Sequence, residues 1–413
     1  MNPGLDQLQQ YPFERLNALK AGLTPPPVSP IVMAIGEPKH EAPDFVLETL
    51  KKSLGGLSIY PLTAGTPELR EAIAGWLSRR FQLAEKIQAC HVLPVNGTRE
   101  ALFAVAQCFA PGPKHKGQAA APPPPVLMPN PFYQIYEGAA LLCGARPYYI
   151  DIDSESGLPR YEDVPESVWQ DCTLLYVCTP GNPTGAVMPL ELLGELVKKA
   201  LKYNFVIASD ECYSELYFDE GAPPAGILQA ALKVGNDGLE NCLAFHSLSK
   251  RSSLPGMRSG FVAGNANLIE TFRLYRTYQG GAMPPPIQTA SIAAWNDEAH
   301  VQANRALYRR KFQETAPVLA EVLPVTIPAG GFYYWLKTPG DDKEFARELY
   351  RHTNVTVLPG SYLARGSLSD ETYSPGRGYV RMALVATAEE CLEAARRTRD
   401  FVKEFYGARL AEA

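Results

Sequence analysis

Short hydrophobic runs alternate with helical patterns along most of the chain. Four runs rich in apolar and β-branched residues predict buried strands, because a parallel strand covered on both faces is hydrophobic at consecutive positions. These runs cover residues 126–128, 174–177, 205–208 and 242–245. Apolar residues at helical spacing predict helices over residues 67–80, 99–110 and 191–201. The alternation is typical of βαβ units and indicates an α/β fold with a mostly parallel sheet.

The pattern changes near residue 300. A long charged helix is predicted over residues 304–322, followed by a glycine turn at 330–331 and an aromatic strand over 332–336. We therefore expect a second, smaller α+β unit in this part of the chain. Residues 114–125, rich in Pro, Ala, Gly and Gln, show neither period. They are predicted to form an exposed loop within the first unit.

Composition narrows the function classes. Hydrophobic residues make up 46% of the 413 residues and the formal net charge is -5, so nothing favours nucleic-acid binding, which relies on clustered Lys and Arg. Small molecules are the expected partners. The eight cysteines form no C-x-x-C pair, and we expect reduced thiols, no metal site and a cytoplasmic protein. Residues 1–11 lack a signal-peptide pattern, and no apolar stretch is long enough to predict a membrane span.

Lys250 is the first candidate for chemistry. A lysine acts as a nucleophile near neutral pH only where burial or cationic neighbours favour loss of its proton. The hydroxyls of Ser247 and Ser249 and the guanidinium of Arg258 would bind a phosphate. Together these residues are typical of an anchor for a phosphorylated aldehyde. A surface turn beside an unrelated arginine is the alternative, since short motifs often match by chance.

Asp210 lies at the carboxyl end of the run that begins with the predicted strand over 205–208. A carboxylate at the carboxyl end of a parallel strand projects into the crevice where such sheets bind ligands. A protonated ring nitrogen could pair with it there, since a nearby cation keeps a buried carboxylate ionised. The alternative is an aspartate that caps a helix. Tyr213 could reach a phenolic oxygen on the same ring, or it could be a half-buried structural tyrosine.

Two turns offer further polar groups. Residues 179–185 contain two prolines and must form a turn. Asn182 in this turn could donate its amide to a phenolate-type oxygen. The alternative is an Asn-Pro turn with a structural role alone. Residues 92–100 predict a strand, a turn at Gly97 and a helix start at Thr98. Free N–H groups there would bind phosphate, although a structural capped helix is the other reading. The spacing is not that of a nucleotide P-loop, so ATP is not indicated.

Tyr133 and Arg381 complete the candidate residues. An aromatic ring in the run 129–136 could stack on a planar ring, with aromatic core packing as the alternative. Arg381 lies in an otherwise apolar strand over 379–384. A buried arginine needs a partner, and a substrate carboxylate would supply two parallel hydrogen bonds. An internal Asp or Glu would serve equally.

In combination these motifs resemble the class I and class II aminotransferases, which are pyridoxal 5'-phosphate enzymes of fold type I. The resemblance covers nearly the whole chain. Its motifs, in chain order, are Gly36-Glu37-Pro38, Tyr60, Asn96-Gly97-Thr98, Asn182-Pro183-Thr184-Gly185, Asp210, Tyr213, Ser247, Lys250, Arg258 and Arg381. It implies an N-terminal arm and first part of the small domain over 1–44, a large domain with a seven-stranded, mostly parallel sheet over 45–300, and a C-terminal small domain over 301–413.

The resemblance also implies a role for each matching residue. Lys250 is the expected Schiff-base lysine and proton shuttle, and Asp210 the partner of the pyridinium nitrogen. The remaining roles are the phenolic-oxygen contacts (Asn182 and Tyr213), the phosphate site (Gly97, Thr98, Ser247, Ser249 and Arg258), ring stacking (Tyr133) and the substrate carboxylate site (Gly36, Asn182 and Arg381). Arg99 is expected to contact the cofactor as well. Tyr60 resembles a tyrosine that reaches the phosphate of the neighbouring subunit, which implies a homodimer with active sites at the interface. Ser259 departs from the pattern, in which an aliphatic residue is usual.

Further segments are similar to the bacterial succinyldiaminopimelate transaminases within this family. They cover residues 36–40, 94–102, 130–138, 246–260 and 275–286. The similarity implies amino-group exchange between glutamate and N-succinyl-2-amino-6-ketopimelate in diaminopimelate and lysine biosynthesis. Lys39 and Arg99 are candidates for the distal carboxylates, with solvated surface charges as the alternative. An aspartate, alanine or aromatic aminotransferase remains open, as do a lyase, an acyl-CoA-dependent synthase and a ligand-sensing regulator domain of the same fold.

Overall fold

The computed structural model describes residues 1–83, 86–110, 122–366 and 373–407. The α-helices within these ranges are α1 Pro12–Lys20, α2 Asp44–Ser53, α3 Pro67–Phe81, α4 Thr98–Phe109, α5 Gln134–Leu142, α6 Glu166–Asp171, α7 Leu190–Tyr203, α8 Ile227–Lys233, α9 Leu248–Arg251, α10 Ala266–Gln279, α11 Pro285–Asn296, α12 Ala299–Leu319, α13 Asp342–Thr353 and α14 Ala388–Phe401. The strands are β1 Ile31–Val32, β2 Val92–Val95, β3 Pro125–Asn130, β4 Arg146–Asp151, β5 Leu174–Cys178, β6 Val206–Asp210, β7 Cys242–Ser247, β8 Gly260–Gly264, β9 Tyr333–Lys337, β10 Val355–Thr356, β11 Leu358–Pro359 and β12 Tyr379–Ala383.

Seven of the described strands form one large sheet in the order β2-β8-β7-β6-β5-β3-β4. Strand β8 runs antiparallel to both of its neighbours, and the other pairs are parallel. The prediction of an α/β fold with a seven-stranded, mostly parallel sheet is confirmed. The four predicted buried strands correspond to β3, β5, β6 and β7.

Both faces of the large sheet are buried, which explains why its strands are hydrophobic at consecutive positions. On β5, Leu175 and Val177 pack into one core cluster, whereas Leu174 and Tyr176 pack into another. Since neighbouring residues of a strand point to opposite faces, the two clusters cover the two sides of the sheet.

The predicted helices are α3, α4 and α7, and local signals set their ends. Thr66 accepts a hydrogen bond from the Leu69 amide at 3.3 Å, with Pro67 as the first residue of α3; both features favour a helix start. Helix α7 ends at Asn204, which has a left-handed φ of 57°. Asparagine tolerates that conformation better than most residues.

The remaining strands form two small sheets. Strand β12 lies between β9 and β11, antiparallel to both, and β1 pairs in parallel with β10. The aromatic strand predicted over 332–336 is β9, and the long charged helix is α12, which begins earlier than predicted and ends at Leu319. Most of the predicted loop over 114–125 lies outside the described residues, and its last residue begins β3.

Two general features bear on the expectations from composition. All eight cysteines are free thiols. Across the four described ranges, no helix combines the length and the apolar character that crossing a bilayer requires.

Candidate active site

A cavity of about 560 Å³ lies at the carboxyl ends of β5, β6 and β7. The carboxyl edge of a parallel sheet is where α/β proteins commonly bind ligands. Most of the predicted site residues line it: Gly36, Thr98, Arg99, Tyr133, Asn182, Asp210, Tyr213, Ser247, Ser249, Lys250, Arg258 and Arg381. We call this space the active-site cavity.

Lys250 follows β7 on the short helix α9. The Ser247 hydroxyl caps that helix by accepting a hydrogen bond from the Ser249 amide at 3.1 Å. The ammonium of Lys250 donates to the carbonyl oxygen of Gly36. Burial lowers the pKa of Lys250 to about 8, and the positive charge of Arg381 contributes to the decrease. The amine therefore faces the cavity and can lose its proton near neutral pH.

Asp210 is the last residue of β6 and is buried. Burial raises the pKa of its carboxyl group. Tyr136 donates a hydrogen bond to Oδ2 at 2.7 Å, and the Cys212 amide donates to Oδ1 at 3.2 Å. Neither donor is a cation, so a positively charged group in the cavity would be the natural charge partner. The contact with Cys212 belongs to a turn rather than to a helix start.

Tyr136 is a functional candidate that sequence reasoning missed. It lies on α5, fully buried, with its ring stacked on Tyr176 at a centroid distance of 4.5 Å. Tyr133, which was predicted, precedes it by three residues. Residues three apart at a helix start lie on one side of the helix, and that spacing was the available signal.

The phosphate-type site forms where Gly97 and Arg258 meet. Gly97 has a φ of 84°, and a Cβ atom there would lie 2.1 Å from Nη2 of Arg258. Only glycine lets the guanidinium approach so closely. The Ser247 hydroxyl lies 2.9 Å from the Ser249 hydroxyl. Helix α4 begins at Thr98 without a side-chain cap, which leaves N–H groups of its first turn available to an anion.

Arg381 is held by neutral groups. Nη1 donates to Oδ1 of Asn182 and Nη2 donates to the carbonyl oxygen of Ala34, both at 2.8 Å. Nε is buried without a partner among the described residues. The predicted alternative, an internal carboxylate partner, is not found in the described part of the chain. Because Oδ1 of Asn182 accepts from Arg381, its amide nitrogen is left to donate to a bound molecule.

Tyr213 and Tyr333 form a pair of phenols, with their hydroxyl oxygens 2.9 Å apart. Burial raises the pKa of Tyr213, so the group stays protonated and can donate. Tyr333 was not predicted. It lies on β9, and a Cβ atom on Gly36 would overlap its hydroxyl. The Arg381 guanidinium lies over the Tyr333 ring at 4.4 Å.

Tyr133 and Arg99 lie at the mouth of the cavity. Arg99 donates through Nε to the Tyr133 hydroxyl at 2.6 Å and through Nη2 to the Tyr11 hydroxyl at 3.0 Å. Lys39, the other predicted distal cation, does not line this cavity. Tyr60 also lies outside it; the side chain is 97% exposed and borders Pro284.

A polar relay fixes the backbone beneath the lysine. The side-chain amide of Asn304 donates to the carbonyl oxygens of Lys250 and Arg251, at 3.1 and 3.2 Å. Its own oxygen lies 2.7 Å from Nδ1 of His40, and Nζ of Lys311 lies 2.7 Å from Nε2 of His40. Because an ammonium only donates, Nε2 accepts and Nδ1 carries the proton. Asn304, on α12, thereby ties the lysine to the region beyond the large sheet.

These groups fit pyridoxal phosphate. Lys250 offers an amine for its aldehyde, Asp210 a carboxylate for its ring nitrogen, and Asn182 and Tyr213 donors for its phenolic oxygen. The guanidinium of Arg258, brought against Gly97, and the uncapped start of α4 offer a cation and N–H groups to the phosphate. Tyr133 provides an aromatic ring at the cavity wall. The chemistry of the donor set therefore matches each functional group of the cofactor.

Ser259, which departs from the aliphatic pattern, is accommodated by a polar contact. Its hydroxyl lies 2.7 Å from the Ser291 hydroxyl, and both residues are buried. The carbonyl oxygen of Ser259 accepts from the Ser247 hydroxyl at 3.2 Å. The substitution thus leaves the residues around Lys250 in place.

Comparisons with known proteins agree with this geometry. The sequence pattern of the family described as aminotransferase class I and II matches residues 28–397. An LL-diaminopimelate aminotransferase of Dehalococcoides mccartyi is 32% identical over 369 residues, which cover 87% of this chain and 88% of that protein. A 4-dedimethylamino-4-oxo-anhydrotetracycline transaminase of Streptomyces rimosus is 33% identical over 394 residues, 95% of this chain and 99% of that protein.

A solved structure is similar as well. The crystal structure of an aminotransferase from Neisseria meningitidis Z2491 matches with a TM-score of 0.91 and 46% sequence identity, covering 97% of this chain and 100% of that one. This match and the family match include the large sheet and the strands that carry Tyr333 and Arg381.

Proposed function

The chain belongs to the class I and class II aminotransferases, and on that premise we propose that it exchanges an amino group between glutamate and a diaminopimelate-type substrate. N-succinyl-2-amino-6-ketopimelate is the specific acceptor that we propose. Enzymes of this family use pyridoxal 5'-phosphate, which is therefore the cofactor. Arg381 is the observation that supports an amino-acid or keto-acid substrate, because among the described residues the hydrogen-bond partners of its buried guanidinium are neutral.

The residues perform distinct tasks in this reaction. Bound pyridoxal phosphate supplies an electron sink beside the substrate nitrogen. The amine of Lys250 takes the proton from the substrate α-carbon and later returns one. The Asp210 carboxylate keeps a proton on the ring nitrogen, and Tyr136 orients that carboxylate. Arg381 holds the α-carboxylate through paired hydrogen bonds, which fixes the substrate in register with Lys250.

Two observations support an acceptor with several carboxylates. The relative from Dehalococcoides mccartyi is an LL-diaminopimelate aminotransferase. Arg99 lies at the cavity mouth, and within the described part of the chain its side chain donates to two phenol hydroxyls and to no carboxylate, so its charge can attract a second carboxylate. The relative from Streptomyces rimosus carries a different substrate in its name at similar identity, so the substrate must be tested directly.

A substrate panel tests the proposal. With glutamate as donor, we expect the highest kcat/KM for N-succinyl-2-amino-6-ketopimelate, above the keto acids of LL-diaminopimelate, aspartate, alanine and phenylalanine. Lys250→Ala is the control that identifies the chemistry, because it should abolish turnover together with the visible absorbance of the lysine-bound cofactor. A preference for oxaloacetate, pyruvate or an aromatic keto acid would replace the proposed substrate while leaving the aminotransferase assignment intact.

We also propose a homodimer in which Tyr60 reaches the active site of the partner subunit. The segment around Tyr60 exposes several large apolar side chains: Leu57 and Ile59 at 66% each and Leu62 at 74%. Such a contiguous apolar surface favours contact with another protein surface. The position of Tyr60 outside the cavity of its own chain supports a role in the neighbouring one.

A further inference from the structure

A second cavity lies beside the active-site cavity. Its volume is about 210 Å³, and residues 8–12 of the N-terminal segment, α1 and α5 form its walls. We call it the arm cavity. Tyr11, Pro12 and Gln134 line both cavities, so the two spaces share one wall.

Arg15 is the charged group that the arm cavity leaves without a carboxylate. Its guanidinium lies over the Tyr362 ring at 4.0 Å, and within the described residues it forms no hydrogen bond or ion pair. Burial lowers its pKa. The carboxylate of Asp342 attracts it from further away, but that carboxylate is buried and accepts from the Ser361 and Gly378 amides.

The other charges at the arm cavity cancel. Arg365 and Glu137 form a two-fold contact, with Nε to Oε1 at 2.7 Å and Nη2 to Oε2 at 2.6 Å. Arg15 is thus the remaining charge of the lining. A half-buried guanidinium that lies over an aromatic ring has already lost part of its hydration on folding. Binding an anion there therefore requires little further desolvation of the arginine.

Among the described residues, one side-chain hydrogen bond fixes the N-terminal side of the shared wall. Nη2 of Arg99 donates to the Tyr11 hydroxyl at 3.0 Å. The same guanidinium donates separately to the Tyr133 hydroxyl through Nε at 2.6 Å, so that bond does not depend on Tyr11. Leu8, Phe103 and Leu142 supply the apolar part of the arm cavity. A chain of methylene groups could therefore pass the wall and end at Arg15.

We propose that the arm cavity binds the anionic acyl tail of the substrate, with Arg15 as the group that pairs with the terminal carboxylate of that tail. The inference rests on the proposed function, because it assumes that Arg381 holds the α-carboxylate of the same molecule. The inference adds a basis for substrate selectivity to the proposed function. An acyl tail that ends in a carboxylate can pair with Arg15, whereas a neutral tail cannot.

The test compares two acyl derivatives of LL-diaminopimelate, N-succinyl and N-acetyl, as amino donors in wild type and in Arg15→Met. The wild type should prefer the N-succinyl derivative in kcat/KM, and the variant should lose about 10- to 100-fold of that preference, the range for one charge-assisted hydrogen-bonded pair. Arg15→Lys should restore part of it. Lys20→Met is the matched control, because Lys20 lies on the same helix over an aromatic ring, Tyr350, at 4.9 Å, yet lines neither cavity.

A second variant tests the arm cavity independently, in case Arg15→Met fails to fold. Leu8→Trp enlarges a side chain of the arm cavity and leaves Arg15 unchanged in sequence, and it should reduce the succinyl preference in the same way. An unchanged preference in both variants, or equal losses with both derivatives, would overturn the assignment of the arm cavity. If the wild type uses neither derivative but transaminates other amino acids, the proposed substrate is wrong. The assignment of the arm cavity to an acyl tail is then wrong as well.

Discussion

Tyr136 donates the buried hydrogen bond that orients the Asp210 carboxylate. We predict that Tyr136→Phe lowers kcat/KM by about tenfold or more, because a hydrogen bond to a charged group contributes about 1.5–3 kcal/mol. Without this donor the pKa of Asp210 rises further, which weakens its hold on a cation. The measurement is steady-state kinetics together with the pH dependence of the visible absorbance of the bound cofactor.

Tyr161→Phe is the matched control for this change. Tyr161 is buried as well, but its hydroxyl has no hydrogen-bond partner among the described residues. Loss of that hydroxyl should leave the kinetics and the spectrum as they are. Similar losses in the two variants would show that burial of a phenol, rather than its contact with Asp210, matters.

The pKa of Lys250 predicts how the apoprotein takes up its cofactor. Only the neutral amine can attack an aldehyde, and burial lowers the pKa of Lys250 from its usual 10.5 to about 8. The neutral fraction increases as pH rises through the pKa, so the uptake rate should rise between about pH 7 and 9 and then level off. Stopped-flow mixing of apoprotein with pyridoxal phosphate measures it. A rate that continued to climb towards pH 10.5 would contradict the lowered pKa.

At the scale of single residues, sequence reasoning found side chains that follow strand ends or glycine turns. Lys250, Asp210 and Asn182 belong to this class, since strand periodicity places them at one edge of the sheet. Tyr333 and Asn304 were not predicted, because their roles depend on contacts with distant parts of the chain. Tyr333 contacts Tyr213, 120 residues away, and Asn304 contacts Lys250, 54 residues away. No local pattern encodes such contacts.

Among the elements, α12 has a specific task, since its Asn304 donates to the backbone carbonyls of Lys250 and Arg251. We predict that Asn304→Ala lowers the free energy of unfolding by about 2–3 kcal/mol, because it leaves buried carbonyl groups without a donor. Activity should fall as well, through loss of the fixed position of Lys250. Urea denaturation and kcat measure the two effects.

Asn267→Ala, on a different helix, provides the comparison for Asn304→Ala. Asn267 lies on the exposed face of α10, where its backbone rather than its side chain makes the hydrogen bonds. The expected change in stability is within about 0.5 kcal/mol. If Asn304→Ala were equally mild, the relay through His40 and Lys311 would not support the lysine.

Element type was predictable where periodicity extends over several residues. The buried strands and α3, α4 and α7 agree with their predicted positions, because their hydrophobic patterns are long enough to fix the period. Strands β10 and β11 contain two residues each. Helix α9 has four residues and exists because Ser247 caps it. Such short elements depend on their surroundings, and no period could reveal them.

For the whole molecule, strand order was beyond sequence reasoning. The antiparallel β8 lies between β2 and β7, and β1 pairs with β10 across more than three hundred residues. Loop lengths and hydrophobic patterns do not determine such pairings. The division of the chain at residues 45 and 301 into arm, large domain and small domain stays a prediction, as do the homodimer and the cytoplasmic location.

The proposed dimer predicts complementation between two defective subunits. Lys250→Ala removes the amine proposed to act in catalysis, and Tyr60→Phe removes the hydroxyl proposed to contact the phosphate in the partner subunit. Each homodimer should be impaired, the Tyr60→Phe form chiefly at limiting cofactor. In a mixed dimer, the Tyr60→Phe subunit keeps its own Lys250 and receives an intact Tyr60 from its neighbour, so one site per dimer should be complete.

Differently tagged subunits, co-expressed and purified through both tags, provide that mixed dimer. Its activity at limiting pyridoxal phosphate should reach about half the wild-type value, because one of its two sites lacks the amine. If Tyr60 acts within its own chain, the same dimer has no complete site and regains nothing beyond the Tyr60→Phe level. A monomer in sedimentation velocity would contradict the shared site altogether. In the proposed dimer, the exposed Tyr60 would link the apolar surface around it to the chemistry at Lys250.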